Sequence, residues 1–206
     1  MPGRPRAGRP RTAGGAAGPG GPVGEGAEPA DPESVARLIC LRLLAAAPRT
    51  RAQLADALRR RGVPDEAAAV VLARFAEVGL IDDVMFANAW VESRHYGRGL
   101  GRRALAAELN QRGVDRSDIQ AAVAQLSPER ELATARALVE RRLASTAGQP
   151  AQVRIRRLAG MLARKGYPPG LAYRVVREAL EQEGQDQAAA IDDEVFEAEF
   201  ADGELG

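Results

Sequence analysis

Three stretches of the chain carry one pattern: LADALRRRGV at 54–63, LAAELNQRGV at 105–114 and LAGMLARKGY at 158–167. In each stretch two leucines stand four residues apart, a basic residue precedes a glycine, and an apolar residue follows that glycine. The second stretch starts 51 residues after the first, and the third starts 53 residues after the second. Because self-similarity at a nearly fixed period is typical of tandem architectures, the sequence predicts three equivalent units.

The chemistry of this pattern predicts the end of a short helix. Leucines four residues apart form one stripe along a helix, and the helix dipole favours a basic residue in the last turn. The glycines Gly62, Gly113 and Gly166 then supply the left-handed residue that follows the helix. Each unit is therefore predicted to contain a tight helical hairpin. Signals for the start of its second helix are Pro64, Asp115 with Asp118 as a capping pair, and Pro168 with Pro169.

A longer apolar helix is predicted before each hairpin, at about 34–47, 83–96 and 128–144. Apolar residues between the tails recur at intervals of three and four, and β-branched runs are missing, which indicates helices and not strands. The predicted fold is all-α: an elongated tandem array of three three-helix repeats, flanked by disordered tails. The predicted segments are a Gly/Pro-rich tail at 1–31, repeats at 32–82, 83–126 and 127–182, and an acidic tail at 183–206.

Charge is distributed unevenly along the chain, although its 206 residues include 29 basic and 28 acidic ones. Residues 1–30 hold nine glycines and six prolines, so they have too little apolar surface to offset the entropy of ordering. Residues 181–206 hold ten acidic residues and no basic one, which leaves 25 basic against 16 acidic residues in 31–180. The sequence therefore predicts a basic body with an acidic tail, within which 188–200 has the spacing of a weak amphipathic helix.

Several classes of protein are excluded by what the sequence lacks. No apolar run approaches the roughly 20 residues of a membrane span, and no hydrophobic segment of a secretory signal follows the N-terminal arginines. Cys40 and His95 are the only residues of their types, so we expect no disulfide, no zinc site and a reducing cytoplasmic location. No catalytic, metal-binding or nucleotide-cofactor motif is present. Asp82 and Asp83 precede an apolar helix and are predicted to cap it.

The remaining candidates for function are groups of arginines. The run at 97–103 places three arginines around three glycines at the start of a helix, which is either an anion contact with free backbone N–H groups or a solvated loop. The other basic groups are either solvated helix faces or one shared basic face that meets phosphates or acidic protein surfaces. The pair of arginines at 141–142 belongs to these groups but is not among the predicted contacts. Those contacts are Arg59, Arg60, Arg61, Arg98, Arg102, Arg103, Arg154, Arg156, Arg157, Arg164 and Lys165.

The segment 79–113 resembles the RecX family of bacterial recombination regulators. It reads G-L-I-D-D-x-x-F-A-x-A-W-V-E-S-R, followed by G-R-R-A-L-A-A-E-L-x-x-R-G-V. The resemblance extends over residues 32 to about 182. It implies a cytoplasmic, non-enzymatic protein of tandem three-helix repeats, without cofactor, metal or small-molecule substrate. Its implied partners are the RecA recombinase and the RecA–DNA filament, whose ATPase, strand-exchange and co-protease activities it restrains in DNA repair and recombination.

Three questions stay open at this point. The resemblance leaves open whether DNA itself is contacted, and no membrane partner is expected. A rival function is a helix-turn-helix transcriptional repressor, because 51–81 has the spacing of a helix-turn-helix and ends in G-L-I, as before a winged-helix hairpin. The acidic tail either competes with outside anions for the basic body or only aids solubility.

Overall fold

The computed structural model describes residues 31–184, and every regular element in that part is helical. α1–α3 cover Pro32–Ala46, Arg51–Arg59 and Asp65–Glu77; α4–α6 cover Asp83–Arg98, Arg102–Gln111 and Arg116–Ala124; α7 and α8 cover Pro128–Leu143 and Ala151–Arg164. A 3-10 turn, Ala144–Thr146, extends α7, and α9 covers residues 169–184. The predicted all-α fold of three-helix units is confirmed, and the long helices begin and end within two residues of their predicted bounds.

The predictions made for the two tails, including the helix at 188–200, fall on residues 1–30 and 185–206 and lie outside the described residues. No helix found in 31–184 combines the length and the apolar character needed to cross a membrane.

The predicted helix ends are confirmed at α2, α5 and α8. Gly62, Gly113 and Gly166 have φ angles of +74°, +74° and +88°. The apolar residue after each glycine folds back, and its N–H donates to a carbonyl five residues earlier, as Val63 does to Leu58 at 3.2 Å. This bond satisfies a carbonyl that the end of the helix would otherwise leave unpaired.

Three separate clusters of buried side chains form the cores, one for each set of three consecutive helices. The leucines of the repeated pattern lie at their centres, and Leu54, Leu105 and Leu162 have no exposed surface. Cys40 is also fully buried, in the first cluster, and burial raises the pKa of its thiol. We refer to α1–α3, α4–α6 and α7–α9 as repeats 1, 2 and 3; the residue boundaries predicted between them stay a prediction.

Repeat 1 and repeat 2 meet where α2 begins and α5 ends. The buried Thr50 hydroxyl accepts from the Gln53 N–H at 3.2 Å and donates to the Arg112 carbonyl at 2.6 Å. Thr50 therefore caps α2 and at the same time binds the last turn of α5. The Arg51 N–H donates to Asp83 Oδ1 at 2.9 Å, which adds a second polar contact between the two repeats.

Repeat 2 and repeat 3 meet in the equivalent place, where α5 begins and α8 ends. The Gly101 N–H donates to the Lys165 carbonyl at 2.8 Å, and the Arg103 N–H donates to the Gly166 carbonyl at 3.3 Å. The start of the second helix of one repeat thus packs against the end of the second helix of the next. The second and third copies of the repeated pattern therefore lie at equivalent interfaces between repeats.

The glycines at these two interfaces are required by close packing between repeats as well as by the ends of the helices. A Cβ atom on Gly113 would lie 2.3 Å from Ala52 Cβ, and one on Gly166 would lie 2.3 Å from the Ala104 N atom. A Cβ atom on Gly62 would meet no atom within 4 Å. Close approach of neighbouring repeats therefore requires glycine at two of the three equivalent positions.

The acidic residues predicted to cap helices behave in three different ways. Asp82 is the N-cap of α4, and its carboxylate accepts from the Met85 N–H at 2.7 Å, so this prediction is confirmed. Asp83 instead bonds the neighbouring repeat, and burial raises the pKa of its carboxyl. Asp115 occupies the N-cap position of α6 but makes no capping hydrogen bond, so the predicted capping pair with Asp118 is wrong.

Candidate polyanion-binding site

Three backbone N–H groups of the glycine-rich run at 97–103 are bonded to repeat 3. The N–H groups of Gly101 and Arg103 donate to carbonyls of repeat 3, and the Arg102 N–H donates to Glu131 Oε1 at 3.0 Å. The positive end of the α5 dipole is therefore already occupied by the chain's own buried carboxylate. Of the two alternatives for this run, an anion contact or a solvated loop, the anion contact loses these three N–H groups, because repeat 3 supplies their acceptors.

The side chain of Arg102 is also committed to the fold. Its Nε and Nη2 atoms donate to the Leu126 carbonyl, and its guanidinium lies 3.6 Å from Glu131 Oε2. The Glu131 side chain is only 7% exposed, so Arg102 supplies the charge that keeps this buried carboxylate compensated. These contacts give Arg102 a structural role, and its predicted contact with a partner stays a prediction.

Removing the Arg102 guanidinium is expected to destabilise the protein. In Arg102→Met, Glu131 loses its charged partner and the Leu126 carbonyl loses its donors, so the free energy of unfolding should fall by about 2 kcal/mol. Arg103→Met is the matched control, because the Arg103 side chain is exposed, and its effect should stay within about 0.5 kcal/mol. Urea denaturation followed by far-UV circular dichroism measures both. Equal stability of the two variants would contradict the structural role of Arg102.

Arg154 is a second predicted contact that the fold uses. Its Nη2 atom lies 2.6 Å from Glu183 Oε2, and its Nε donates to Thr146 Oγ1 at 3.1 Å. Only 13% of the Arg154 side chain is exposed. The pair joins the start of α8 to the end of α9, so Arg154 helps to hold repeat 3 together, and its predicted partner contact stays a prediction.

The three arginines at the end of α2 lie elsewhere on the chain, as a separate exposed group. Arg59 forms an ion pair with Asp56 in its own helix at 2.8 Å, and Arg61 donates to the Ala57 carbonyl at 3.0 Å. Arg60 is exposed at the C-cap of α2. The structure does not bring this group together with the basic residues of repeat 3.

A cleft of about 1130 Å³ does bring basic residues together, where the end of α4 and the turn after it meet α7 and α8. Seven of its lining residues are cations, and no carboxylate is among them. We call these seven the cationic cleft: Arg98, Arg141, Arg142, Arg156, Arg157, Arg164 and Lys165. A concentration of one sign of charge in a concave surface attracts polyanions, and guanidinium groups bind phosphate or carboxylate groups through two parallel hydrogen bonds.

Most of these cations have no acidic neighbour. Within 31–184, no carboxylate lies in ion-pair distance of six of them, Arg141, Arg142, Arg156, Arg157, Arg164 and Lys165. Arg98 is the exception, with Glu108 Oε1 at 3.2 Å. The cleft therefore keeps most of its positive charge uncompensated by this part of the chain.

The pKa of the Lys165 ammonium group reflects the positive charge inside the cleft. Its Nζ atom donates to the Arg98 carbonyl at 2.6 Å, where the C-terminal end of the α4 dipole favours a cation. Partial burial nevertheless lowers the pKa of its ammonium group. Nearby guanidinium groups lower that pKa further, namely those of Arg98, Arg141 and Arg142. An anion that entered the cleft would raise the pKa of Lys165 again.

Five of the seven cleft cations were among the predicted contacts, and Arg141 and Arg142 were not. A signal for them was present, because they follow the cleft-lining Leu138 by three and four residues and so share its face of α7. On α8 the cleft face repeats in the same way, through Arg157, Met161 and Lys165. Neither helix by itself indicates that these two faces meet.

Two other residues that could carry chemistry are held inside the protein. His95 is 3% exposed, with Nδ1 at 2.9 Å from the Leu100 carbonyl and Nε2 at 2.9 Å from Thr134 Oγ1. Trp90 is half-buried against the second core, as predicted, and its ring lies 3.6 Å from the guanidinium carbon of Arg112. The guanidinium of Arg112 therefore already covers one face of the Trp90 ring, and that face is not open to a nucleobase.

The region after Ile81 bears on the alternative of a winged-helix repressor. The structure continues there with α4, from Asp83, and no strand occurs between residues 31 and 184. The β-hairpin of a winged helix is thus absent from the described part of the chain.

Comparison with known proteins gives one consistent result. Family models for RecX match all three repeats: the first three-helix domain at 36–75, the second at 82–123 and the third at 129–176. The chain is 66% identical to the "Regulatory protein RecX" of Thermobifida fusca over 187 residues, which covers 89% of this chain and 94% of that protein. It is 63% identical to the protein of the same name from Streptomyces lividans over 155 residues, covering 75% and 82%.

Solved structures agree on the fold. The crystal structure of RecX from Lactobacillus salivarius superimposes with a TM-score of 0.68 at 18% identity, over 72% of this chain and 97% of that one. A second crystal structure, of a regulatory protein RecX, gives a TM-score of 0.65 at 25% identity and covers 72% and 73%.

Proposed function

The chain belongs to the RecX family of regulatory proteins, and from that premise we propose that it binds the RecA recombinase and the RecA–DNA filament. Bound there, it lowers the ATPase, strand-exchange and co-protease activities of RecA in DNA repair and recombination in the cytoplasm. The observation that supports this most directly is the cationic cleft, because a filament of RecA on DNA presents phosphates and acidic side chains to such a surface.

The cationic cleft is the contact surface in this proposal. Seven cations around one concavity can bind several anionic groups at once, and each weak contact adds to the others. Phosphates of DNA are bound in the same way as acidic side chains, so direct but weak DNA binding is part of the proposal. Arg59, Arg60 and Arg61 form a second, smaller basic group at the other end of the repeat series, which contributes a separate contact.

In the proposed mechanism the chain inhibits RecA by occupying a surface of the filament, and it catalyses no reaction. The one histidine and the one cysteine of the sequence are held inside the fold: the His95 ring is bonded on both nitrogens, and Cys40 is fully buried. Inhibition then follows because a bound regulator obstructs the movement of RecA protomers or DNA that turnover requires. One regulator that touches several protomers stops more than one active site.

The test is the DNA-dependent ATPase of RecA, measured as phosphate release with single-stranded DNA in excess over RecA. We expect the purified full chain to lower the rate at far less than one molecule per RecA protomer. The excess of DNA ensures that sequestration of DNA does not account for the loss. A pull-down with RecA, with and without single-stranded DNA and a slowly hydrolysed ATP analogue, separates binding to the filament from binding to free RecA. An unchanged ATPase rate at a molar excess of the chain would contradict the proposal.

A further inference from the structure

We propose that the acidic segment 185–206 docks in the cationic cleft of its own chain and competes there with outside polyanions. The inference rests on the proposed function of the cleft as the polyanion contact, and it adds a regulator of that same site. Three observations carry it: the charges of segment and cleft, the place where the described part of the chain ends, and the apolar residues on both sides.

The charges are complementary in sign and similar in number. Residues 185–206 contain eight carboxylate side chains and no Arg, Lys or His. The cleft contains seven cations and no carboxylate. Each exposed pair contributes little by itself, but the segment is tethered, and tethering supplies an effective concentration of about 1 mM. The acidic residues are Asp186, Asp192, Asp193, Glu194, Glu197, Glu199, Asp202 and Glu204.

The described part of the chain ends two side-chain contacts away from the cleft. The segment follows directly on the last turn of α9, where Glu183 Oε2 lies 2.6 Å from Arg154 Nη2. The Nε atom of the same Arg154 donates to Thr146 Oγ1 at 3.1 Å, and Thr146 lines the cleft. Two side-chain contacts thus separate Glu183 from the cleft wall. The 22 residues of the segment can reach up to about 70 Å when extended, so length does not limit the contact.

Apolar residues accompany the charges on both surfaces. The cleft is lined by Tyr96, whose exposed fraction is 69%, and by the partly buried Met161. The segment carries large apolar side chains between its carboxylates, at helical spacing: Ile191, Val195, Phe196 and Phe200. A surface of guanidinium groups around an apolar floor therefore suits this segment better than a purely charged surface would.

The other exposed basic group is a poorer partner for the segment. At the end of α2, Arg59 already pairs with Asp56, and Arg61 is bonded to the Ala57 carbonyl. In the cleft, Arg156 and Arg157 are exposed and have no carboxylate in ion-pair distance within the described part of the chain. The segment therefore gains more from the cleft than from α2.

The first test compares the full chain with a chain cut after Gly184. This cut keeps the Glu183–Arg154 pair, whereas a cut after Leu180 would leave the buried Arg154 guanidinium without its carboxylate. Lys165 is the only lysine of the sequence, so labelling with ¹³C-lysine gives one Cε resonance, whose pH titration reports the pKa of the cleft ammonium. We expect a higher Lys165 pKa in the full chain, with the difference shrinking as salt is added.

Matched variants test whether the difference in Lys165 pKa between the two chains comes from the carboxylates of the segment and the cations of the cleft. Neutralising the eight carboxylates to Asn or Gln should reproduce the Lys165 pKa of the shortened chain. Arg156→Glu with Arg157→Glu in the full chain should remove the dependence of the resonance on the segment. Arg59→Glu with Arg60→Glu should leave it intact. Identical Lys165 titrations of the full and shortened chains at low salt would overturn the proposal.

The second test measures competition, with a fluorescent single-stranded DNA oligomer as the probe. A segment with a Kd of about 0.1 mM for the cleft, at an effective concentration of about 1 mM, lowers the affinity of a competitor about tenfold. We therefore expect the shortened chain to bind the oligomer about tenfold more tightly at low salt. Equal affinities of the two chains would overturn the proposal. If neither chain bound the oligomer or RecA, the proposed function would fail, and the Lys165 titration alone would decide whether the segment occupies the cleft.

Discussion

Replacing Gly166 with alanine is expected to lower the free energy of unfolding by about 3–5 kcal/mol, since two independent costs add. The residue has a φ angle of +88°, a left-handed conformation that costs a residue with a Cβ atom about 1–2 kcal/mol. The new Cβ would also lie 2.3 Å from the Ala104 N atom and 2.6 Å from Ala104 Cβ. Backbone cannot move aside as a flexible side chain can, so repeats 2 and 3 must separate.

Gly62→Ala is the matched control for this experiment. Gly62 ends α2 with a φ angle of +74°, and its Cβ would meet no atom within 4 Å. It should therefore carry only the conformational cost, about 1–2 kcal/mol. Urea denaturation of both variants, followed by circular dichroism, measures the difference. Hydrogen exchange should also show α7–α9 opening more readily in Gly166→Ala, because neighbouring repeats stabilise one another through their interface. Equal losses in the two variants would contradict the close packing described at Gly166.

Reversing two cations of the cleft, Arg156→Glu with Arg157→Glu, is expected to weaken binding to the RecA–DNA filament about a hundredfold at low salt. The change takes the cleft from seven positive charges to a net of three. Two groups that would bind anions then repel them. The slope of log Kd against log salt concentration should fall by about two, because two fewer counterions are exchanged on binding. Both side chains are exposed, so the helical circular dichroism signal should not change.

Arg59→Glu with Arg60→Glu makes the same change in net charge outside the cleft, also at exposed positions. If the cleft is the main contact, this pair should weaken filament binding by only about threefold, through the screened field of the protein. Fluorescence anisotropy with labelled filaments measures both variants under one set of conditions. Equal weakening by both pairs would show that net charge alone drives binding and would remove the cleft as the contact surface.

Local signals in the sequence specify the helices and the turns between them. The stripe of Leu54 and Leu58, the basic residue before Gly62 and the apolar residue after it specify a helix end within ten residues. These signals are local, because φ angles, capping groups and the faces of a helix depend on neighbours within about one or two turns. The family resemblance at 79–113 was also readable, since it depends on residue order alone.

Which polar groups remain available depends on how the repeats pack. The arginines at 98, 102 and 103 look alike in the sequence, yet Arg102 compensates a carboxylate 29 residues away, whereas the Arg103 side chain is exposed. The N–H groups of the glycine-rich run appear free until repeat 3 supplies their acceptors. Local patterns carry no information on such acceptors, because the distance between two repeats is set by packing and not by spacing along the chain.

The place where charge accumulates also depends on packing between repeats. Arg98 and Lys165 are 67 residues apart, and they meet only because the end of α8 packs against the end of α4. Arg154, by contrast, belongs to the same basic run as Arg156 and Arg157 but turns inward to Glu183. Helix periodicity assigns each side chain to a face, but which faces meet is fixed by the close approach that Gly113 and Gly166 allow between neighbouring repeats.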